Sequence, residues 1–461
     1  MSTAANSLEA RDIASLIHPY CDLARHEDEG PLVITRGDGI YIYDTADRQY
    51  IDSISGLWCA SLGFSEPALA EAAYEQLKRL PYYHTFHGKS TPPVIDLAER
   101  LTRISPVAEP RIFFANSGSE INDSVVKLIW QYNNVVGRPE KKKIVSRQRS
   151  YHGSTIATAS LTGLPIAHAD FDLPIDRFVH TTCPDYYREG LPGESEEAFA
   201  GRCAADLEAL LQEEGPETVA AFVADPVMCT GGVIVPPATY FEQIQAVLRR
   251  HDILFVVDEV ICGFGRTGNQ FACETYDLRP DVMTVAKALS SAYQPISAAM
   301  LSRPIWEALR EASHRHGTFA HGFTYSGHPV PAAVAIRTLE LMEERDIIGH
   351  VRSVVPRFRE RLEAFRGHPL VGDVRGVGLL GAVELVADKR TKRPFDPVLG
   401  VGAYGTARNL ELGLIVRPLG DTFPFCPPLI ITENQIDDMF DRFGRALDET
   451  AAMVANHAAS A

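Results

Sequence analysis

Two side chains in this chain are placed to do chemistry together. Asp258 closes the apolar run Ile253-Leu-Phe-Val-Val-Asp258, and Lys287 follows a second one, Val282-Met-Thr-Val-Ala-Lys287, 29 positions further on. A carboxylate and an amine delivered from the ends of two buried strands can hold a ring nitrogen protonated and condense with an aldehyde. Each alone has an ordinary reading, the Asp as a strand-end cap and the Lys as a solvated charge. Two upstream constellations turn the balance. In Ala115-Asn116-Ser117-Gly118-Ser119-Glu120, amides and hydroxyls converge at the start of a strongly helical pattern, where a phosphate dianion is most readily held. Ser117 or Ser119 also serves there as a helix N-cap. Tyr151-His152-Gly153 follows the strand run ending near Ser146 and offers a ring that can stack on a flat heterocycle. Isolated, that Tyr reads as a rim residue. Phosphate, flat ring, ring nitrogen and aldehyde together describe pyridoxal 5'-phosphate.

These groups need a scaffold that brings strand ends together. Leu32 to Ile54 reads as short antiparallel strands separated by polar turns. From about residue 66 helical stretches (67 to 78, 93 to 104, 120 to 136, 204 to 213, 240 to 250) alternate with β-branched runs beginning at Arg111, Lys143, Val219, Ile253, Val282 and Ser297. That alternation predicts an α/β architecture with a mostly parallel sheet covered on both faces. After Pro331 two helices, the glycine-punctuated Val374 to Val386, a strand over Leu412 to Val416 and a last helix over Glu433 to Ala451 predict a second α+β layer. The expected division is 61–330 for the large domain, with 1–60 and 331–461 forming the small one. A short helix is expected over Asp12 to Leu16, after a mobile lead.

Composition narrows the function. At 461 residues, 45% hydrophobic and 23% charged, the chain exceeds one core and carries ample apolar surface. With 44 basic against 60 acidic residues its formal charge is −16, which disfavours nucleic acid and anionic membrane as partners. No run approaches the length of a membrane span, and the N-terminus lacks the apolar region of a signal peptide. The eight cysteines are scattered without zinc spacing, which fits reduced thiols in the cytoplasm. His314, His316, His321 and His328 match no zinc pattern, so no metal is expected. Two glycine patterns are not dinucleotide fingerprints: Gly376 to Gly381 leads into a strand-like run, and Gly263 to Gly268 opens no helix.

Taken in order, Ser117-Gly118-Ser119, Tyr151-His152-Gly153, Asp258-Glu259-Val260, Gly263 to Gly268, Lys287 and Thr324-Tyr-Ser-Gly-His-Pro329 resemble the class III aminotransferases, in particular ω-transaminases of the amine:pyruvate kind. The resemblance runs from His18-Pro19-Tyr20 to about Pro428. It implies the type I fold of pyridoxal-phosphate enzymes, with a seven-stranded, mostly parallel sheet. Lys287 would be the Schiff-base lysine and proton shuttle, and Asp258 the partner of the pyridinium. Val260 and Tyr151 would sandwich the ring, with Ser117, His152, Gly153 and Asp225 completing its surroundings. Gly118 and Ser119 would bind the phosphate together with Thr324 of the partner subunit, which implies a homodimer or a dimer of dimers. Tyr20, Leu57, Trp58, Tyr151, Thr230, and Phe86 and Phe323 of the partner subunit would line the substrate pockets. Arg417, in Val416-Arg-Pro, matches the family's movable arginine, whose planar fork suits a substrate carboxylate. The chain departs from the family at Asp225-Pro226, where Glu-Pro is usual, and at Ala288, where Gly is. The implied reaction is a ping-pong transfer from an amine donor to a keto-acid acceptor such as pyruvate. The alternatives are an aminomutase or decarboxylase of the same fold and a non-catalytic cofactor-binding protein.

Overall fold

The computed structural model describes residues 6–460; the expected lead over Met1 to Ala5 lies outside the described residues. The chain opens with two short helices, Leu8–Ser15 and Leu23–Glu29. The first starts earlier than the periodicity predicts because the Ser7 hydroxyl accepts from the Ala10 amide and caps it. A meander of β1 (Ile34–Asp38), β2 (Tyr41–Asp44) and β3 (Gln49–Asp52) follows.

The six β-branched runs form β4 (Arg111–Ala115), β5 (Lys143–Arg147), β7 (Val219–Ala224), β8 (Leu254–Asp258), β9 (Val282–Val285) and β10 (Ser297–Leu301), joined by β6 (Phe178–Thr181). Their spatial order is β4-β10-β9-β8-β7-β5-β6. Only β10 runs against its neighbours. All residues of β7 and β9 are buried, as expected for strands covered on both faces, which is why they read as unbroken apolar runs. Strand β6 escapes the sequence reading for the opposite reason. It is an edge strand paired only with β5, and its central Val179 and His180 are half-buried.

The remaining strands are β11 (Val371–Val377), β12 (Leu380–Leu385), β13 (Leu414–Ile415) and β14 (Thr422–Phe425). β11, β12 and β14 make an antiparallel sheet, while β13 joins the N-terminal meander by pairing parallel to β3. The expected strand over Leu412 to Val416 is thus two residues long. The glycines of 376 to 381 form the β11–β12 hairpin. Gly378 there has φ +58, and a Cβ on it would lie 2.3 Å from the Arg266 carbonyl oxygen, so only glycine fits.

Gly263 to Gly268 is a turn whose buried Arg266 donates to the Pro427 carbonyl. The Ser55 hydroxyl donates to the neighbouring Cys426 carbonyl at 2.6 Å, and the Cys426 amide to the Ser53 carbonyl at 2.7 Å. Through these bonds the segment after β3 and the segment after β14 are held against the turn that follows β8.

Candidate active site

Strands β4, β5, β7, β8 and β9 are mutually parallel, so their carboxyl ends open on one side of the sheet. In such sheets that is where ligands bind. The next residues along the chain are Ser117 and Gly118 after β4, Tyr151 after β5, Asp225 after β7 and Lys287 after β9, while Asp258 ends β8. Gly118, Ser119, Tyr151, His152, Gly153, Asp225, Asp258, Val260 and Lys287 line a single cavity, joined by Asn122 and Ile261, which the sequence reading did not single out.

Asp258 is the most constrained of them. It is 4% exposed. Its Oδ2 accepts from Asn122 Nδ2 at 2.8 Å and meets His152 Nδ1 at 2.8 Å, and its Oδ1 accepts from the Val260 amide at 3.1 Å. A carboxylate only accepts, so Nδ1 is the protonated nitrogen of His152. Asn122 also donates to the His152 carbonyl at 2.9 Å, which locks the pair. Among the described residues no Lys or Arg forms an ion pair with Asp258, and His152 is its one salt-bridge contact. A buried carboxylate of this kind can stabilise a cation brought into the cavity.

Lys287 is buried in the same cavity. Its φ of +47 places a non-glycine residue in the sparsely populated left-handed region, a conformation that persists where surrounding structure over-determines it. Burial lowers its proton affinity below that of an ordinary lysine, against the opposing pull of Asp258. Ala288 is buried in the short 3₁₀ turn Lys287–Ser290 and is absent from the positive-φ residues, so alanine serves where relatives carry glycine.

The Gly118–Val135 helix begins at Ser117, whose hydroxyl accepts from the Glu120 amide at 3.2 Å, while Glu120 Oε2 accepts from the Asn116 amide at 2.8 Å. That capping fixes the helix N-terminus and leaves the Gly118 and Ser119 end facing the cavity. Ser119 Oγ accepts from the Ser154 amide at 3.1 Å, bringing the Tyr151-His152-Gly153 loop alongside. Side chains on the two glycines would fill this cradle: a Cβ on Gly118 would stand 3.1 Å from Val260 Cγ1, and one on Gly153 would stand 2.8 Å from Ser119 Oγ.

Asp225 is drawn toward the sheet. Fully buried Arg147 donates from Nη2 to Asp225 Oδ1 at 2.7 Å and to the Asp225 carbonyl. Burial raises the Asp225 pKa, with Arg147 opposing. Arg147 was missed in the sequence, and its signal is a charge directly following the run Ile144-Val145-Ser146. Glu259 faces away from the cavity. Its Oε1 accepts from the Cys273 amide at 2.7 Å, its Oε2 has no hydrogen-bond partner among the described residues, and burial pushes it up to about 7.

Trp58 is buried with Cys229 and Cys426 in an apolar cluster. Its loop is set by Asp52, whose carboxylate accepts from the Ile54 amide at 2.9 Å and the Gly56 amide at 2.5 Å, with Ser55, Gly56 and Trp58 at positive φ. Leu57 is exposed and Thr230 half-buried. Arg417 is half-buried and, among the described residues, makes no hydrogen bond or ion pair. Burial lowers its pKa, with Tyr151 and Tyr20 as its electrostatic neighbours. Burial, with Tyr20 alongside, keeps the Tyr151 phenol protonated.

Phe86, Phe323 and Thr324 gather elsewhere and do not line the Lys287 cavity. Tyr82 donates to the Thr324 carbonyl at 2.7 Å, Thr85 donates to the Ser326 carbonyl at 3.3 Å, and the Thr324 and Phe86 side chains are exposed. The four histidines noted in the sequence have separate surroundings: His321 stacks on Phe113, His328 caps the Pro329–Glu344 helix, and His314 and His316 are exposed.

The chain is similar to known proteins over most of its length. The family described as Aminotransferase class-III matches residues 23–447. The chain is 50% identical over 441 residues to gamma-aminobutyrate transaminase 1, mitochondrial, of Oryza sativa subsp. indica, covering 95% of this chain and 86% of that one. It is 48% identical over 451 residues to gamma aminobutyrate transaminase 3, chloroplastic, of Solanum lycopersicum, covering 96% and 87%. The structure superimposes with a TM-score of 0.96 on the ω-transaminase from Pseudomonas jessenii in complex with PMP, at 49% identity, covering 98% of this chain and 99% of that one.

Two outcomes follow from the local chemistry. Lys287→Ala is expected to retain pyridoxal phosphate only non-covalently, so that borohydride reduction and peptide mapping find the label on the Lys287 peptide of the parent and on no lysine of the variant. Label on another lysine refutes the assignment. Glu259 has a folded pKa raised above its unfolded value, so its stabilising contribution is complete below the unfolded pKa near 4.5 and is lost as pH rises through about 7. Glu259→Gln is expected to flatten that decline and to melt a few degrees above the parent at pH 8 but not at pH 5. Parallel melting curves across this range would refute it.

Proposed function

The chain belongs to the class III aminotransferase family, and within it we propose that the donor is a primary amine or an ω-amino acid, 4-aminobutyrate among them, and that the acceptor is pyruvate or another small keto acid. The enzyme transfers the amino group with pyridoxal 5'-phosphate in a ping-pong reaction, so a single site must accept each partner in turn. The observation that carries the substrate reading is Arg417, a half-buried guanidinium near Tyr151 without a carboxylate partner among the described residues. A keto acid brings that carboxylate, and a plain amine leaves the arginine to its tyrosine neighbours.

In this reading the chain's residues divide the work. Ser119 and the Gly118 end of its helix hold the phosphate, aided by Ser117 as cap. Tyr151 and Val260 flank the ring, and Asp258, fixed by Asn122 and His152, keeps the ring nitrogen protonated. His152 and Gly153 fix the loop that carries Tyr151, and Asp225, tied to Arg147, closes the wall. When bound, pyridoxal phosphate supplies an aldehyde and an electron sink for charge developing on the substrate carbon. Lys287, whose burial favours the neutral amine at lower pH than usual, would be the amine that holds the cofactor covalently when no substrate is bound and, once an incoming amine has displaced it, the base whose Nζ accepts the proton from the amine-bearing carbon. Trp58, Leu57, Tyr20 and Thr230 bound the substrate. An aminomutase or decarboxylase would not need the acceptor half of this cycle.

We further propose a homodimer in which Thr324, Phe86 and Phe323 serve the partner's site, a role supported by the exposed Thr324 and Phe86 side chains and their separation from the Lys287 cavity. The division into 1–60 with 331–461 against 61–330 is supported by the pairing of β13 with β3. A cytoplasmic setting is supported by eight free thiols.

Arg417→Ala is expected to cost about 1.5–3 kcal/mol in kcat/KM for pyruvate, the range for hydrogen bonds to charged groups, and to spare an aldehyde acceptor with the same amine donor. Equal losses with both acceptors, or none with either, overturn the carboxylate role. Thr324→Ala is expected to release pyridoxal phosphate more readily in titration, in step with dimer dissociation in sedimentation. A monomer that retains the cofactor as tightly as the parent would rule out a shared site.

A further inference from the structure

The helices Leu8–Ser15 and Leu23–Glu29 bury no apolar residue, so apolar packing does not fix where they sit. A polar cluster joins them. Asp12 on the first helix, His18 in the connecting turn and His26 on the second converge: His18 Nε2 lies 2.8 Å and His26 Nε2 3.1 Å from Asp12 Oδ1. Their ligand atoms all lie within 4.8 Å of one another, and no other trio of His, Cys, Asp or Glu among the described residues comes so close. The two imidazole rings stand 4.2 Å apart, and the His26 side chain is 9% exposed, against 29% for His18 and 19% for Asp12.

Two imidazole nitrogens and a carboxylate oxygen are ligands for borderline divalent ions, whereas calcium and magnesium take oxygen alone. Around a tetrahedral centre with bonds of roughly 2.0–2.1 Å, ligand atoms stand about 3.3 Å apart. The two imidazole nitrogens lie 2.8 and 3.1 Å from Asp12 Oδ1 and within 4.8 Å of each other, so small side-chain adjustments bring all three to that spacing, with solvent free to take the fourth position. We propose that Asp12, His18 and His26 bind one divalent cation of the zinc class, which clamps the two N-terminal helices together. The sequence hides the site because one ligand is a carboxylate and the histidines are eight positions apart. Tyr20, with φ +53, lies in the turn between two of the ligands, so the same ion fixes the segment that brings Tyr20 beside Tyr151.

The test uses holoenzyme stripped with a chelator and then titrated with Zn²⁺ by calorimetry and with Co²⁺ by visible absorption. One ion per chain is expected, with saturable binding lost in Asp12→Asn and His26→Gln and kept in Cys21→Ser, which removes the exposed thiol of the same turn. Zn²⁺ is also expected to slow trypsin cleavage at Arg11 and Arg25 in the parent and in Cys21→Ser, and not in Asp12→Asn or His26→Gln. X-ray absorption of the zinc-loaded parent needs no variant and is expected to find two imidazoles and no sulfur. Absence of stoichiometric binding in the parent, binding retained by both trio variants or lost in Cys21→Ser, or a sulfur ligand would overturn the proposal.

Discussion

A carboxylate taken out of water without a full positive charge beside it is costly to maintain, and much of this site is arranged around one. Asp258 ends a buried strand, its backbone paired with Thr284 of β9 and its carboxylate held by hydrogen bonds away from solvent. Two side-chain contacts, from Asn122 and His152, and one backbone amide satisfy it in part. Partial satisfaction is what gives the site its direction, because a fully paired carboxylate would have nothing left to offer a ligand. Asn122 and His152 thus set both the position of Asp258 and its remaining appetite for a cation.

Around that carboxylate the sheet supplies positions and the loops supply chemistry. Parallel strands deliver helix amides, an aromatic ring, a carboxylate and an amine to one edge, and each comes from a different βα unit. Arg147 and Asp225 show the same division of labour. The guanidinium is wholly buried behind the wall, and only Asp225 reaches the cavity. With its shorter side chain, Asp225 is drawn toward Arg147, so the usual glutamate's extra methylene is not needed for that pairing.

Much of this was legible in the chain itself. Strands covered on both faces announce themselves as apolar runs, and Asp258 and Lys287 stand out because a charge at the end of such a run has few structural uses. The edge strand β6 was not legible, since half-buried His180 interrupts its apolar pattern. Asn122 was hidden in a helix whose neighbouring Ile121 and Val125 read as ordinary core. Arg147 was hidden because a basic residue after a strand normally reaches solvent, and only the fold reveals that Tyr240 and Phe241 cover it. Patterning records which side a residue faces, and it carries little about partners far along the chain.

The pairing of β13 with β3 has a bearing on how the molecule is made. The Ser53 hydroxyl meets the Ile415 carbonyl across 362 positions of sequence, so the N-terminal meander cannot complete its sheet until nearly all of the chain has left the ribosome. Until then β3 presents an unpaired edge, while the large sheet between them has its strands in hand and can form first. Closing so long a loop is slow relative to local contacts. The sheet that joins β3 to β13 is therefore the last to be completed, and the interval before β13 arrives is when the nascent protein is most exposed to pairing with a wrong strand.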